Sequence, residues 1–222
     1  MSVLAETSWK LTVIFVGFLV YSWIWIITNI PELFTLGVIY GFLMLSGMII
    51  SVFLISTNKP VFGFPPLRLM PETTIVGAFI GLLSVLISGA ISQLPLFQVS
   101  IYMQLPPLIA LFFAVLISCT EESFFRGALL PVVYYYGNEN VIQAIIHNSI
   151  LFTILHWVAY QASIPSLISS FIFSIIVSAA SLHYKSGYVG MIAHVTYNLM
   201  ILHSITGCLL YTSDAADELD GV

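Results

Sequence analysis

The sequence predicts an all-α, polytopic transmembrane helical bundle of about seven spans, and three observations predict it. Hydrophobic residues make up 59% of the 222 positions and charged residues only 7%, whereas soluble domains carry about 25% charged residues. Seven apolar runs are each long enough to cross a bilayer, for which about 20 residues suffice. The runs follow one another with short breaks and no linker, so they make one integral-membrane domain over residues 1–207.

The first run, Trp9 to Ile30, has a single positive residue at its start and no small-residue cleavage site, which makes it a retained helix rather than a signal peptide. Asn29-Ile30-Pro31-Glu32 separates it from the second, Leu33 to Ser56. A proline-rich stretch from Lys59 to Pro71 leads to the third, Thr73 to Leu94, where Gly77, Gly81, Ser84 and Ser88 are positions for close helix packing. Leu94-Pro95 ends that run. The fourth, Pro107 to Tyr136, is longer than one span requires, and its excess is either tilt or an end projecting into water. Gly137-Asn138-Glu139-Asn140 introduces the fifth, Val141 to Tyr160. The sixth, Pro165 to His183, is divided from the seventh, Tyr188 to Thr206, by Lys185-Ser186-Gly187.

Apart from Arg126, the basic residues are Lys10, Lys59, Arg68 and Lys185, and with seven spans all four fall on one side. The positive-inside rule then puts the N-terminus, the second-to-third loop and the sixth-to-seventh loop in the cytoplasm. Trp9 and Trp157 suit interfacial anchors, whereas Trp23 and Trp25 lie deep in the first run. Cys119 and Cys208 have no ligand spacing and support no disulfide framework. With no internal repeat, no glycine-rich phosphate loop and no basic patch, nucleic acid is not an expected partner; the lipid bilayer is.

The stretch Cys208-Leu209-Leu210-Tyr211-Thr212-Ser213-Asp214-Ala215-Ala216-Asp217-Glu218 reads as the translation of a transposase adapter used in sequencing libraries. Residues 208–222 are therefore expected to be a non-native tail, with the native frame ending near Gly207 and a C-terminal truncation. Setting aside Asp214, Asp217, Glu218 and Asp220 leaves 6 acids against 5 bases, so the acidic balance says nothing about partners.

Within the fourth run, Glu121-Glu122-Ser123-Phe124-Phe125-Arg126 puts three ionisable side chains where charge is expensive, which reads as a functional site by default and otherwise as an ion pair locking helices together. On a helix Glu122 and Arg126 are i,i+4 neighbours, whereas Glu121 points about 100° away. One carboxylate can thus be clamped while the other is freer, and spacing alone leaves open which. The fifth run contains Phe152-Thr153-Ile154-Leu155-His156 and the seventh His194-Val195-Thr196-Tyr197-Asn198, each pair one turn apart on one face. Taken singly, such histidines are ordinary glue between membrane helices. Together, two carboxylates, two imidazoles and a carboxamide can activate a water and stabilise an oxyanion, or hold a metal. His147 and His203 face away from the motif residues and are structural or interfacial.

E-E-S-F-F-R-G, F-T-I-L-H and H-V-T-Y-N, in that order on three apolar helices, resemble the CPBP family of intramembrane proteases. That family includes the type II CAAX prenyl endopeptidases and bacterial proteins tied to bacteriocin processing or self-immunity, and its E-E-x-x-x-R, F-x-x-x-H and H-x-x-x-N/D patterns are all matched. The motif-bearing core is about 107–206, and the first three helices carry no matching motif. The resemblance implies an endopeptidase acting on membrane-accessible peptides or proteins, in a plasma membrane of bacterial type. It further implies that Glu121 activates the attacking water with help from His156, that Glu122 and Arg126 orient the site, and that His194 and Asn198 stabilise the oxyanion. Both a zinc-type mechanism, with Glu121, His156 and His194 as ligands, and a metal-free glutamate mechanism are compatible with it, since no compact H-E-x-x-H is present. Prenylated substrates are implied only for the eukaryotic branch. The competing reading is a non-proteolytic immunity protein that binds a bacteriocin-like peptide; a transporter would need paired broken helices in two repeated halves, which are not seen.

Helix depth is the one discordant count. Measured from the cytoplasmic ends of the runs, Glu121 and His156 lie about 20 Å deep but His194 only about 10 Å, so tilt or an earlier start of the seventh helix is expected to close the gap.

Overall fold

The computed structural model describes residues 3–30, 33–91, 106–159 and 163–219. Among these, every predicted run is a helix and no strand occurs. The elements are α1 (Val3–Asn29), α2 (Phe34–Ser56), α3 (Met70–Ile91), α4, α5 (Val141–Ala159), α6 (Ile164–Tyr184) and α7 (Tyr188–Leu219). Helix α4 has three consecutive parts, an α-helix Pro107–Glu122, a π-helical stretch Ser123–Leu129 and a final α-helix Leu130–Tyr136. The predicted break at Leu94-Pro95, Pro31-Glu32 and the last residues of the third and fifth runs lie outside the described residues. Helix α7 continues past Thr206, where the seventh run was expected to stop, because no glycine or proline follows Gly207 until Gly221.

Among the described residues, five helices are long and apolar enough to span a membrane, namely Lys10–Asn29, Phe34–Ser56, Leu67–Ile91, Leu108–Tyr136 and Ile164–Tyr184, and Val141–Trp157 is a shorter apolar helix. Large apolar side chains such as Ile14, Phe42, Leu86 and Ile142 point outward, while Ser118, Asn148, Ser174 and Ser178 are buried. Oil outside and polar groups inside is the distribution of an integral membrane protein.

Sequence dictates the break in α4. Pro131 has no N–H, so the carbonyl of Gly127, four residues earlier, loses its α-helical partner. The ladder widens at this point, with Leu130 donating to the Phe125 carbonyl. The Gly127 carbonyl is taken instead by the N–H of Phe62, at 3.1 Å, from the proline-rich stretch. Phe62 in turn accepts from the N–H of Gly187 at 2.8 Å, and Ser186 donates its hydroxyl to the Gly63 carbonyl at 2.6 Å. Backbone can come this close only because Gly187 lacks a Cβ, which would stand 2.8 Å from the Phe62 carbonyl oxygen.

This knot resolves the depth discrepancy. Helix α7 starts at Tyr188 as predicted, but its turn is recessed to the level of Gly127, nine residues or about 13 Å before the end of α4. Counting α4 from Tyr136 therefore overstated the depth of Glu121 relative to His194. The last turns of α4 stand beside the basic loops, with Lys185 Nζ 3.9 Å from the Tyr134 ring centroid and Lys59 Nζ 5.3 Å from that of Tyr135. Phe64 N–H donates to Thr12 Oγ1 at 3.0 Å, which brings the start of α1 to the same end of the bundle.

Helix α3 positions α7. A Cβ at Gly77 would lie 2.8 Å from Ile192 Cβ, and one at Gly81 would lie 2.5 Å from the Ala193 carbonyl oxygen. Ser88 Oγ and Tyr197 Oη are 3.0 Å apart higher on the same seam. The small residues thus let α3 seat the α7 turn that carries His194 and Asn198. Trp23, predicted to lie deep, is 1% exposed, whereas Trp25 and Trp157 are exposed. The Trp9 side chain lies outside the described residues.

Candidate active site

Glu121, Glu122, Arg126, His156, His194 and Asn198 are all buried, none more than 4% exposed. They come from α4, α5 and α7, and the fold brings Arg126, His156 and His194 within 4 Å of one or both of Glu121 and Glu122.

Glu122 is the clamped carboxylate. Its Oε1 accepts from Arg126 Nη1 at 2.9 Å and from His194 Nδ1 at 3.0 Å. Arg126 also donates from Nη2 to Ser174 Oγ on α6 at 2.8 Å. Its guanidinium carbon lies 4.3 Å from the centroid of the Phe152 ring, with Phe125 and Phe173 farther off. The cation is held by one carboxylate, one hydroxyl and aromatic faces, the arrangement that makes a desolvated charge tolerable.

Glu121 is the freer one. Tyr40 on α2 donates its hydroxyl to Oε1 at 2.6 Å. The other oxygen, Oε2, has no hydrogen-bond partner, yet it faces His156 Nε2 at 3.5 Å and His194 Nδ1 at 3.8 Å. His156 is oriented by its own helix, since Nδ1 lies 2.8 Å from the Phe152 carbonyl oxygen and therefore carries the proton there. Phe152, one turn before it, packs against the imidazole with centroids 4.3 Å apart and planes tilted by 33°. The F-x-x-x-H spacing has a physical use here: one ring lies against both the His156 imidazole and the Arg126 guanidinium.

Asn198, one turn beyond His194, donates to Ser118 Oγ at 2.8 Å rather than to either carboxylate. His147 and His203 are exposed and away from the cluster, and His147 Nδ1 bonds the Gln143 carbonyl at 2.8 Å.

The fit to a metal is poor. The nitrogen of His194 nearest Glu121 is Nδ1, the one already committed to Glu122, so Glu121, His156 and His194 do not converge as three ligands. Among the described residues no group of three or more His, Cys, Asp or Glu could hold a metal ion.

Tyr40, Ser118 and Ser174 escape sequence reasoning, because a tyrosine or serine in an apolar run carries no signal of its own. Pro131 does carry one: a proline inside a 30-residue run announces the broken ladder beside the site.

Residues 103–200 match the family model described as type II CAAX prenyl endopeptidase Rce1-like. All six candidate residues fall inside the match, while Tyr40 falls outside it. No curated protein and no solved structure matches the chain.

Proposed function

We propose, on the premise that residues 103–200 make this chain a member of the CPBP family through their Rce1-like domain, that it is an intramembrane endopeptidase using a water activated by Glu121. The observation that carries the reading is the two-sided state of Glu121, with one oxygen held by Tyr40 and the other unpartnered opposite His156 Nε2.

A water hydrogen-bonded to both Glu121 Oε2 and His156 Nε2, beside the 3.5 Å gap between them, gives its proton to Glu121 as its oxygen attacks the scissile carbonyl carbon. The carbonyl becomes a tetrahedral oxyanion, for which the His194 ring and the amide of Asn198 supply the hydrogen bonds. His194 lies within 4 Å of both carboxylates, 3.8 Å from Glu121 and 3.0 Å from Glu122. Glu121 then returns the proton to the leaving amine as the C–N bond breaks, so one water is consumed and an acid and an amine are released. Glu122, Arg126 and Ser174 fix the orientation of His194 throughout. The donor set argues for a metal-free route. Substrates are peptides or proteins that reach the site within the membrane.

The test is cleavage of membrane-anchored peptides by purified protein in liposomes, read by mass spectrometry with and without chelator. Glu121→Gln keeps the shape and should cost about 10²- to 10⁴-fold in turnover. His156→Ala and His194→Ala should be comparably severe and should not add to it, since residues acting as a unit are non-additive. Chelator should leave the wild-type rate intact. Full turnover by Glu121→Gln overturns the reading, and biological peptide protection by a cleavage-dead variant would favour binding without proteolysis.

A further inference from the structure

The first two helices carry no family motif and lie outside the matched residues, yet they close a ring around the base. Tyr40 on α2 donates to Glu121 Oε1 at 2.6 Å. Its ring stacks on Trp23 of α1, with centroids 4.9 Å apart and planes 7° from parallel. Trp23 donates from Nε1 to Thr120 Oγ1 at 2.8 Å, and Thr120 is the chain neighbour of Glu121. The circuit Glu121, Tyr40, Trp23, Thr120 thus returns to its start.

Resting on the proteolytic reading above, we infer that Tyr40 is a positioning residue for the base, assigning Glu121 Oε1 to structure and Oε2 to proton transfer. A carboxylate has two equivalent oxygens and a flexible side chain, so without a partner either oxygen can turn toward the water. A donor at 2.6 Å falls in the range of charge-assisted O–H···O⁻ bonds, which are short and directional. Since the anion offers only acceptors, the phenol must be the donor. Fixing Oε1 fixes the carboxylate plane, and that plane carries Oε2 to its place 3.5 Å from His156 Nε2. The stacked Trp23, 1% exposed, keeps the phenol from following the carboxylate if it swings.

Tyr40→Phe removes one oxygen and keeps the stacking ring. In the liposome cleavage assay, kcat should fall about 10- to 100-fold with KM within about twofold of wild type, because misplacing a reacting group by about 1 Å can cost 10²-fold without altering binding. Its melting temperature in detergent should match wild type. Trp23→Phe is the second variant: it cuts the link to Thr120, leaves the hydroxyl present, and should give a smaller loss, again in kcat alone. Wild-type kcat in both variants overturns the inference, as does a loss confined to KM or accompanied by a lowered melt. Glu121→Gln runs alongside. If that variant is dead while Tyr40→Phe is fully active, only this inference falls; if Glu121→Gln still turns over, the proteolytic reading falls and this one with it.

Discussion

Gly190 and Glu122 approach so closely that a Cβ on the glycine would stand 2.6 Å from Glu122 Oε2. The carboxylate cannot swing aside freely, since its other oxygen is bonded to Arg126 and His194. Gly190→Ala should therefore push Glu122 out of register with His194 and lower turnover about 10- to 100-fold, while leaving substrate affinity near wild type. Steady-state kinetics in liposomes checks this. Wild-type kcat would show that the carboxylate has room to relax.

Arg126 should matter first to folding. Removing one partner of a buried ion pair leaves an uncompensated charge and costs about 3 to 5 kcal/mol. Arg126→Ala should accumulate poorly and melt early in detergent. Arg126→Lys should rescue only partly, because a point charge cannot serve Glu122 and Ser174 together as the planar fork does. A melt equal to wild type for Arg126→Ala would contradict this.

The α3–α7 seam should tolerate no added bulk. Gly81→Val must displace the Ala193 backbone or Thr196, and overpacking of this kind costs about 1 to 3 kcal/mol. Ser84→Ala is the matched control, since the Ser84 hydroxyl bonds its own helix at the Ile80 carbonyl. Detergent melts should separate the two variants, with turnover falling in Gly81→Val as His194 shifts.

Topology is tested at Lys185, which is exposed at the same end of the bundle as Lys59. A cysteine there should react with an impermeant maleimide only after permeabilisation, as expected for a cytoplasmic turn. Labelling of intact cells would invert the orientation.

How much of this was legible beforehand differs by level. Seven helices and their order follow from run length and punctuation, because lipid leaves the backbone no other choice. Glu122 and Arg126 pair as i,i+4 spacing requires, and the stripe at Gly77 and Gly81 packs as small residues do. What the sequence hid is contact between distant segments. Tyr40 reaching Glu121 spans 81 positions and uses a residue type common in any membrane helix. The recessed α6–α7 turn was invisible because depth was counted from helix ends, and nothing in Lys185-Ser186-Gly187 says where a turn sits relative to α4.

The backbone knot among Phe62, Gly127 and Gly187 also reverses the usual advice on where to insert a tag or a reporter. By composition, the proline-rich connection from Lys59 to Pro71 looks the most permissive in the chain. Its main chain is instead stitched to α4, to the α6–α7 turn and to α1, and an epitope placed there would pull apart the packing beneath the carboxylates. Asn138 and Glu139 are exposed in the tight turn after α4, where the backbone bonds run to Tyr134 and Gly137, and an insertion there should spare the site.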